Sequence, residues 1–179
     1  MQTEEIVALV KRMQAGDTAA FDEIFAAYGK TAVRTAALIS GDPNLAEDIA
    51  QEAFVLCIIH IGELKNPLAF RSWFFRILTR CAWKISDRRT QTLEWNDKAL
   101  PSCPDTYPSD GGMQNEDLRI ALNQLGRKQR AAVVLYYFNE LSVREIARAT
   151  SCPEATVKTR LFAARRRLRR TLERKEKRQ

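Results

Sequence analysis

Apolar residues recur at spacings of three and four along most of this 179-residue chain, and this periodicity constrains the fold more than any other feature. It is visible from the start, where Ile6, Leu9, Val10 and Met13 lie on one side of a helical wheel. Only seven glycines and six prolines interrupt the chain, which favours long helices over short strands joined by turns. The sequence therefore predicts an all-α fold.

The periodicity stops between residues 90 and 117, in the segment TQTLEWNDKALPSCPDTYPSDGGMQNED. This segment holds three prolines and two glycines, and six acidic residues against one lysine. Such a composition is typical of a flexible linker. We therefore predict two small helical domains, residues 1–89 and residues 118–179, joined by an acidic linker over residues 90–117.

Charge is distributed unevenly between the two predicted domains. Residues 113–179 carry 17 Lys and Arg against 7 Asp and Glu, whereas residues 1–112 carry 12 against 15. A basic part joined to a slightly acidic one indicates that the C-terminal domain binds a polyanion.

The C-terminal domain contains the pattern of a helix-turn-helix. Ser142 and Glu145 form an S-x-x-E capping box before the short apolar-sided segment REIARA. Pro153 suits the first position of a second helix, because its missing N–H would be unpaired there in any case. Two helices joined by so tight a turn predict a helix-turn-helix.

The second of these helices has two different faces. Val157, Leu161, Ala164 and Leu168 form a narrow stripe that should face the core. The opposite face combines a hydroxyl, an aromatic ring and several cations, which suits entry into the major groove of DNA. A solvated amphipathic helix is the alternative. The residues predicted to contact DNA are Lys158, Thr159, Arg160, Phe162, Ala163, Arg166 and Arg167.

A helix over residues 45–60 has a mixed acidic and apolar face. Asp48, Gln51 and Glu52 cluster at helical spacing, and Val55 and Ile59 fall beside them, opposite the predicted core stripe. Such a face is typical of a helix that binds a protein partner. A solvated acidic face is the alternative.

The sequence offers little for catalysis. His60 is the single histidine, and no nucleophile–base pair, metal cluster or phosphate-binding glycine-rich loop is visible. Cys57, Cys81, Cys103 and Cys152 are widely spaced and lack a C-x-x-C pair. We therefore expect no enzyme activity, cofactor, metal or disulfide. The N-terminus does not resemble a signal peptide and no apolar run is long enough to span a bilayer, so a cytosolic location without membrane insertion is expected.

Both domains resemble parts of one protein family. ALNQLGRKQRAAVVLYYFNELSVREIARATSCPEATVKTRLFAARRRL is similar to the promoter −35-binding domain of bacterial sigma factors. DPNLAEDIAQEAF and FRSWFFRIL are similar to their −10-binding domain. Two such domains joined only by a linker resemble the extracytoplasmic-function (group IV) members of the sigma-70 family.

The resemblance implies partners and roles. Core RNA polymerase would bind through its β′ clamp coiled coil, against Asp48, Gln51, Glu52 and Val55, and through its β subunit. Promoter DNA would be bound at its −35 element by the helix face described above, and opened at its −10 element. A loop from Gly62 to Phe70 would capture a flipped-out base. The −10 contacts implied are Lys65, Asn66, Arg71, Phe74, Arg76, Arg80 and Lys84, whereas Trp73 is expected in the core.

Further implications concern regulation and specificity. An anti-sigma factor, membrane-bound in many relatives, is an implied partner. The acidic linker would pass through the polymerase active-centre cleft, a plain tether being the alternative. Arg80 departs from the family pattern, where a small polar residue is common, so the resemblance does not fix the exact −10 sequence. Ala163 replaces a basic residue that is common in the family, so the −35 preference should shift toward contacts from Lys158, Thr159 and Phe162. A stand-alone helix-turn-helix repressor or activator is the competing function, and it would bind duplex DNA as a dimer without polymerase.

Overall fold

A computed structural model describes the backbone of residues 3–95 and 116–176, and the side chains of residues 3–88 and 117–173. Over these ranges the chain is helical and has no strand, as the apolar periodicity predicts. Four helices make up the N-terminal part: α1 (Thr3–Gln14), α2 (Thr18–Ser40), α3 (Ala46–His60) and α4 (Phe70–Trp95). Four more follow: α5 (Glu116–Asn123), α6 (Arg127–Tyr137), α7 (Val143–Ala149) and α8 (Glu154–Glu176).

Local signals explain where the N-terminal helices begin and end. Asp17 caps α2, since its carboxylate accepts hydrogen bonds from the backbone N–H groups of Ala19 and Ala20. Gly41 ends α2 in the left-handed conformation, with φ of +79° and its N–H bonded to the carbonyl of Ala37. Helix α4 continues to Trp95, past the point at which the apolar periodicity fades. Residues 96–115, most of the predicted linker, lie outside the described residues.

The core is built mainly from the apolar stripes that the periodicity predicts. Leu9, Val10 and Met13 of α1 are buried against α2, and Val157 and Leu161 of α8 are buried in the C-terminal part. The largest fully buried side chains include the three phenylalanines at positions 70, 74 and 75 of α4. None of the helices within the described ranges is long and apolar enough to cross a membrane.

The two parts of the chain pack directly against each other, through α2 with α6 and α4 with α7. Their buried apolar side chains form one continuous cluster. Arg130 of α6 donates from Nε to the carbonyl of Ile39 at 3.0 Å and from Nη2 to the carbonyl of Ser40 at 2.9 Å. These carbonyls belong to the last turn of α2, where a cation also interacts favourably with the helix dipole.

Polar contacts extend along this interface. The hydroxyl of Thr35 donates to Oδ1 of buried Asn139 at 3.0 Å. Arg127 donates to both carboxylate oxygens of Asp87 at 2.7 and 2.8 Å, and its guanidinium lies over the ring of Trp83. The interface between the two predicted domains is therefore partly polar.

Candidate nucleic-acid and partner surfaces

The predicted helix-turn-helix is present as α7, a turn and α8. The hydroxyl of Ser142 accepts from the N–H of Glu145, and the carboxylate of Glu145 accepts from the N–H of Ser142, so the predicted capping box is confirmed. In the turn, Ser151 has φ of +50°, and the N–H of Cys152 bonds to the carbonyl of Ala147. This turn orients α8 against α7.

Helix α8 presents the two faces that its sequence predicts. Of the predicted core stripe, Val157, Leu161 and Ala164 are buried, and Leu168 is partly buried against the core. Phe162 on the other side is 70% exposed, the highest value among the large apolar side chains in the described ranges. Exposed residues around it are Lys158, Thr159, Arg166 and Arg167. A projecting ring among cations can contact a thymine methyl while the cations bind phosphates or guanine edges.

Two predicted DNA contacts on α8 are less available than the others. Arg160 is half-buried, and its Nη1 lies 3.2 Å from the sulfur of Cys152 in the turn. The hydroxyl of Thr159 donates to the carbonyl of Ala155 at 3.0 Å, which leaves its oxygen as an acceptor. Arg160 therefore supports the turn in this structure, and Thr159 can accept from a base amino group.

Helix α3 exposes the predicted acidic and apolar face. Asp48 and Gln51 are exposed, and Val55 is 46% exposed. Glu52 is half-buried and pairs with Lys84 of α4 at 3.6 Å. On the opposite side of α3, Ile49, Ala53 and Cys57 are buried as predicted, and Leu56 of the same stripe is partly buried.

The apolar part of this face is larger than the sequence suggested. Ile58 and Ile59 are 48% and 65% exposed, and they continue the surface begun by Val55. Phe25 of α2 is also exposed, and its ring packs on Phe54 with 4.9 Å between centroids. Adjacent exposed apolar side chains typically mark a surface that binds another molecule. Ile58 was not predicted on this face, although it lies three residues after Val55 and therefore on the same side of the helix.

The loop between α3 and α4 is shaped by two short 3₁₀ turns, Ile61–Glu63 and Pro67–Ala69. Ile61 and Leu64 are buried beneath it, whereas Lys65 is exposed and Leu68 is 65% exposed. Asn66 caps the second turn, since its Oδ1 accepts from the N–H of Leu68 at 3.0 Å. The predicted −10 residues Lys65 and Asn66 therefore stand at the surface between the two turns.

The predicted cations of α4 have different surroundings. Arg76 is exposed. Arg71 donates to the main-chain carbonyl of Asn139 in the C-terminal part, and Nη2 of Arg80 lies 3.4 Å from the hydroxyl of Ser151. Arg71 and Arg80 are therefore in contact with the second predicted domain in this structure.

Phe74 does not fit the predicted contact with DNA. Its ring is fully buried, and it packs between Tyr28, Phe54, Phe70 and Phe75, with centroid distances of 4.9 to 5.9 Å. The motif FRSWFFRIL placed it correctly on α4 but not on the right side of the helix. Trp73 is partly buried against the core, as expected.

Buried thiols contribute no reactive group to these surfaces. Burial raises the pKa of Cys57 to about 12 and is also the main cause that raises the pKa of Cys81 to about 11. Both thiols are therefore protonated at neutral pH. Together with Cys152 they are free cysteines, and Cys103 lies outside the described residues. The described residues contain no group of three or more His, Cys, Asp and Glu side chains that could hold a metal ion.

Several residues that shape these surfaces were not predicted from the sequence. Arg165 stacks over the rings of Tyr136 and Tyr137 at 5.9 Å, and Tyr137 is 51% exposed. Gln14 bonds to two carbonyls of the α3–α4 loop. The run of tyrosines beside an arginine-rich helix could have suggested the first of these. No sequence signal indicates the second.

Comparison with protein families gives two matches, in order along the chain. Residues 24–90 match the model for Sigma-70 region 2, and residues 115–168 match that for Sigma-70, region 4. The first match covers the acidic face of α3 and the α3–α4 loop. The second covers the helix-turn-helix.

Individual relatives agree over most of the chain. The ECF RNA polymerase sigma factor SigM of Mycobacterium tuberculosis is 34% identical, with 88% of this chain and 80% of the relative covered. RNA polymerase sigma-H factor of Pseudomonas aeruginosa is 29% identical, with 90% and 91% covered. ECF RNA polymerase sigma factor SigW of Bacillus subtilis is 28% identical, with 91% and 94% covered.

Solved structures show the same fold. CnrH in complex with the cytosolic domain of CnrY is 23% identical, with a TM-score of 0.71 over 94% of this chain and 97% of that one. The sigma factor RpoE in complex with the anti-sigma factor NepR from Bartonella quintana is 24% identical, with a TM-score of 0.73 over 86% and 96%. The fold is therefore one that these proteins share.

Proposed function

The chain belongs to the sigma-70 family of bacterial RNA polymerase sigma factors, in its extracytoplasmic-function group, and from this membership we propose which of its surfaces carries each step. It is a promoter-recognising sigma factor of RNA polymerase. The observation that carries this conclusion is the presence of regions 2 and 4 in one chain, in that order.

We propose that the α3 face defined by Asp48, Gln51, Glu52 and Val55 binds the β′ clamp coiled coil of core polymerase, and that the β subunit provides a second contact. The exposed carboxylate of Asp48 beside the exposed side chain of Val55 supports this assignment, because partner helices bury apolar surface at the centre and pair charges at the rim.

We propose that two separate surfaces of the protein contact promoter DNA. The α8 face around Phe162 binds the −35 element as duplex in the major groove. The α3–α4 loop and the exposed side of α4 bind the −10 element, where a base leaves the stack and enters a protein pocket. Lys65, Asn66, Arg76 and Lys84 are exposed there, whereas Arg71 and Arg80 become available when their contacts with the C-terminal part are released.

We further propose an anti-sigma partner, because CnrH and RpoE, which share the fold, are described in complexes with CnrY and with the anti-sigma factor NepR. The chain itself performs no catalysis in this proposal, since a sigma factor acts by binding polymerase and DNA. It works in the cytoplasm, where polymerase and chromosome meet.

Run-off transcription with purified core polymerase tests the function. Fragmented DNA from the source organism serves as template, with and without the protein. We expect discrete transcripts that require it. Duplex binding by the protein alone, with no binding to core polymerase, would instead support a stand-alone regulator.

Replacing Asp48 by Lys tests the docking face. We expect core affinity to fall about tenfold or more, because a charge pair at the edge of an interface contributes about 1 kcal/mol and reversal adds repulsion. Asp48 is preferred to Glu52, whose pairing with Lys84 would complicate the result. Glu4→Lys, an exposed charge reversal on α1, is the matched control and should leave core affinity unchanged. Equal affinities for both variants would refute the assignment.

A further inference from the structure

We propose that Gln14 is a positioning residue for −10 recognition: it fixes the loop that receives the flipped-out base. The inference rests on the proposed function of the α3–α4 loop. Its basis is a contact between residues far apart in sequence. Nε2 of Gln14 donates to the carbonyl of Ile61 at 3.0 Å and to the carbonyl of Leu64 at 2.8 Å.

Both N–H donors of the Gln14 side-chain amide are used in these two hydrogen bonds. A glutamine amide nitrogen carries two hydrogens, and each is directed to a separate carbonyl of the first 3₁₀ turn. The turn also has a main-chain bond from the N–H of Leu64 to the carbonyl of Ile61 at 3.2 Å. Gln14 therefore supplies two of the bonds that keep this turn closed.

Gln14 is held in place by its own helix. It is the last residue of α1, next to buried Met13, and Gly16 then reverses the chain at φ of +90°. Arg12 pairs with Asp17 at 2.8 Å and with Glu23 at 2.9 Å, which ties the end of α1 to the start of α2. The amide thus projects from a fixed point toward the loop.

The surface residues of the loop lie between two turns, each of which is held by a side-chain hydrogen bond. Gln14 holds the turn that precedes Lys65, and the side chain of Asn66 caps the turn that follows. A pocket for an extruded base must be formed before the base arrives, because ordering it during binding reduces affinity. Gln14 contributes to recognition by fixing backbone, without itself contacting DNA.

Abasic substitution provides the test. Holoenzyme is formed with core polymerase and bound to promoter fragments in which each non-template −10 base in turn is replaced by an abasic site. With wild-type protein, one position should show a marked loss of affinity. We expect Gln14→Met to reduce that base dependence about tenfold, because two hydrogen bonds are lost. Lys11→Met, on an exposed position of the same helix, is the matched control and should behave as wild type.

A second variant distinguishes loss of the hydrogen bonds from loss of the fold. Gln14→Asn keeps the amide but shortens the arm by one methylene, so it cannot reach both carbonyls and should lose part of the base dependence. Core binding and thermal melting are measured for every variant. If Gln14→Met folds, binds core and keeps full base dependence, Gln14 has no positioning role. If wild-type protein shows no base dependence at any position, the loop does not capture a base and both proposals fail.

Discussion

Arg71 illustrates how one side chain can serve a structural contact and a predicted functional one. Its guanidinium donates to the carbonyl of Asn139, whereas the family resemblance implies that it contacts −10 DNA. Charge and spacing identify a cation near the surface of α4, but they do not distinguish a phosphate oxygen from a main-chain carbonyl as its acceptor. Its availability to DNA therefore depends on the arrangement of the two parts of the chain.

Arg166 allows a direct test of the −35 surface. It is exposed on α8, so Arg166→Ala should change the free energy of unfolding by less than about 0.5 kcal/mol. Loss of a base-edge or phosphate contact should reduce binding by about 1–3 kcal/mol on promoters that depend on the −35 element. Run-off transcription from templates with and without that element measures the difference. Equal losses on both templates would show that the recognition face is elsewhere.

Cys57 makes stability depend on alkaline pH. Its folded pKa of about 12 exceeds the ordinary value of 9.0, so the folded state keeps a proton that the unfolded state loses above about pH 9. The free energy of unfolding should therefore fall as pH rises from about 9 toward 12 and be unaffected by this group at lower pH. Urea denaturation at several pH values measures it. Cys57→Ala should reduce the slope of the decline, the rest of which comes in part from Cys81, and an unchanged slope would contradict the account.

At the scale of single elements, the α7 cap is the clearest stability determinant. Ser142→Ala removes an acceptor for the N–H of Glu145 and should lower the free energy of unfolding by about 1 kcal/mol. Ser142→Asp retains a capping oxygen and is the matched control. Urea denaturation compares the two. A loss of the same size in both variants would mean that the hydroxyl acts by some means other than capping.

Element types and most core stripes could be predicted because they depend on local spacing. The α8 stripe at Val157, Leu161 and Ala164 and the exposed ring of Phe162 are both found as the helical wheel places them. The resemblance, by contrast, implied a DNA contact for Phe74 that its burial does not allow, since FRSWFFRIL is apolar on more than one side and only the packing of α2 and α3 decides which ring is covered. Gln14 escaped prediction because its partners are 47 and 50 residues away.

At the scale of the whole molecule, the two parts are joined by a partly polar interface. Asn139 is buried, and its Nδ2 has no hydrogen-bond partner among the described residues. A buried donor without an acceptor costs about 1–3 kcal/mol, and this cost would be removed if the two parts separated, because water would then accept the hydrogen bond. Arg130 opposes separation through its bonds to the last carbonyls of α2.

Replacing Arg130 by Met should therefore favour separation. The variant keeps an apolar stem but removes both bonds to Ile39 and Ser40, and we expect a shift of about 1–3 kcal/mol toward separated parts. Small-angle X-ray scattering should then report a larger radius of gyration, and binding to −10 DNA by holoenzyme should not decrease. Lys128→Met, on an exposed position of α6, is the matched control. Identical scattering from both variants would contradict this role of Arg130.

The bond between Arg71 and Asn139 has a thermodynamic consequence for control of the protein. In the proposed −10 complex, a phosphate bound at the Nη2 edge of Arg71 takes the place that the carbonyl of Asn139 occupies, so the packed arrangement and the promoter-bound one are competing states. The apparent affinity for −10 DNA is then the intrinsic affinity multiplied by the fraction of molecules in which Arg71 is released. A ligand that prefers the packed arrangement lowers the affinity of the protein for DNA by some factor. By reciprocity, bound DNA lowers the affinity of the protein for that ligand by the same factor. Such a ligand could act as an inhibitor without touching any residue that contacts the promoter.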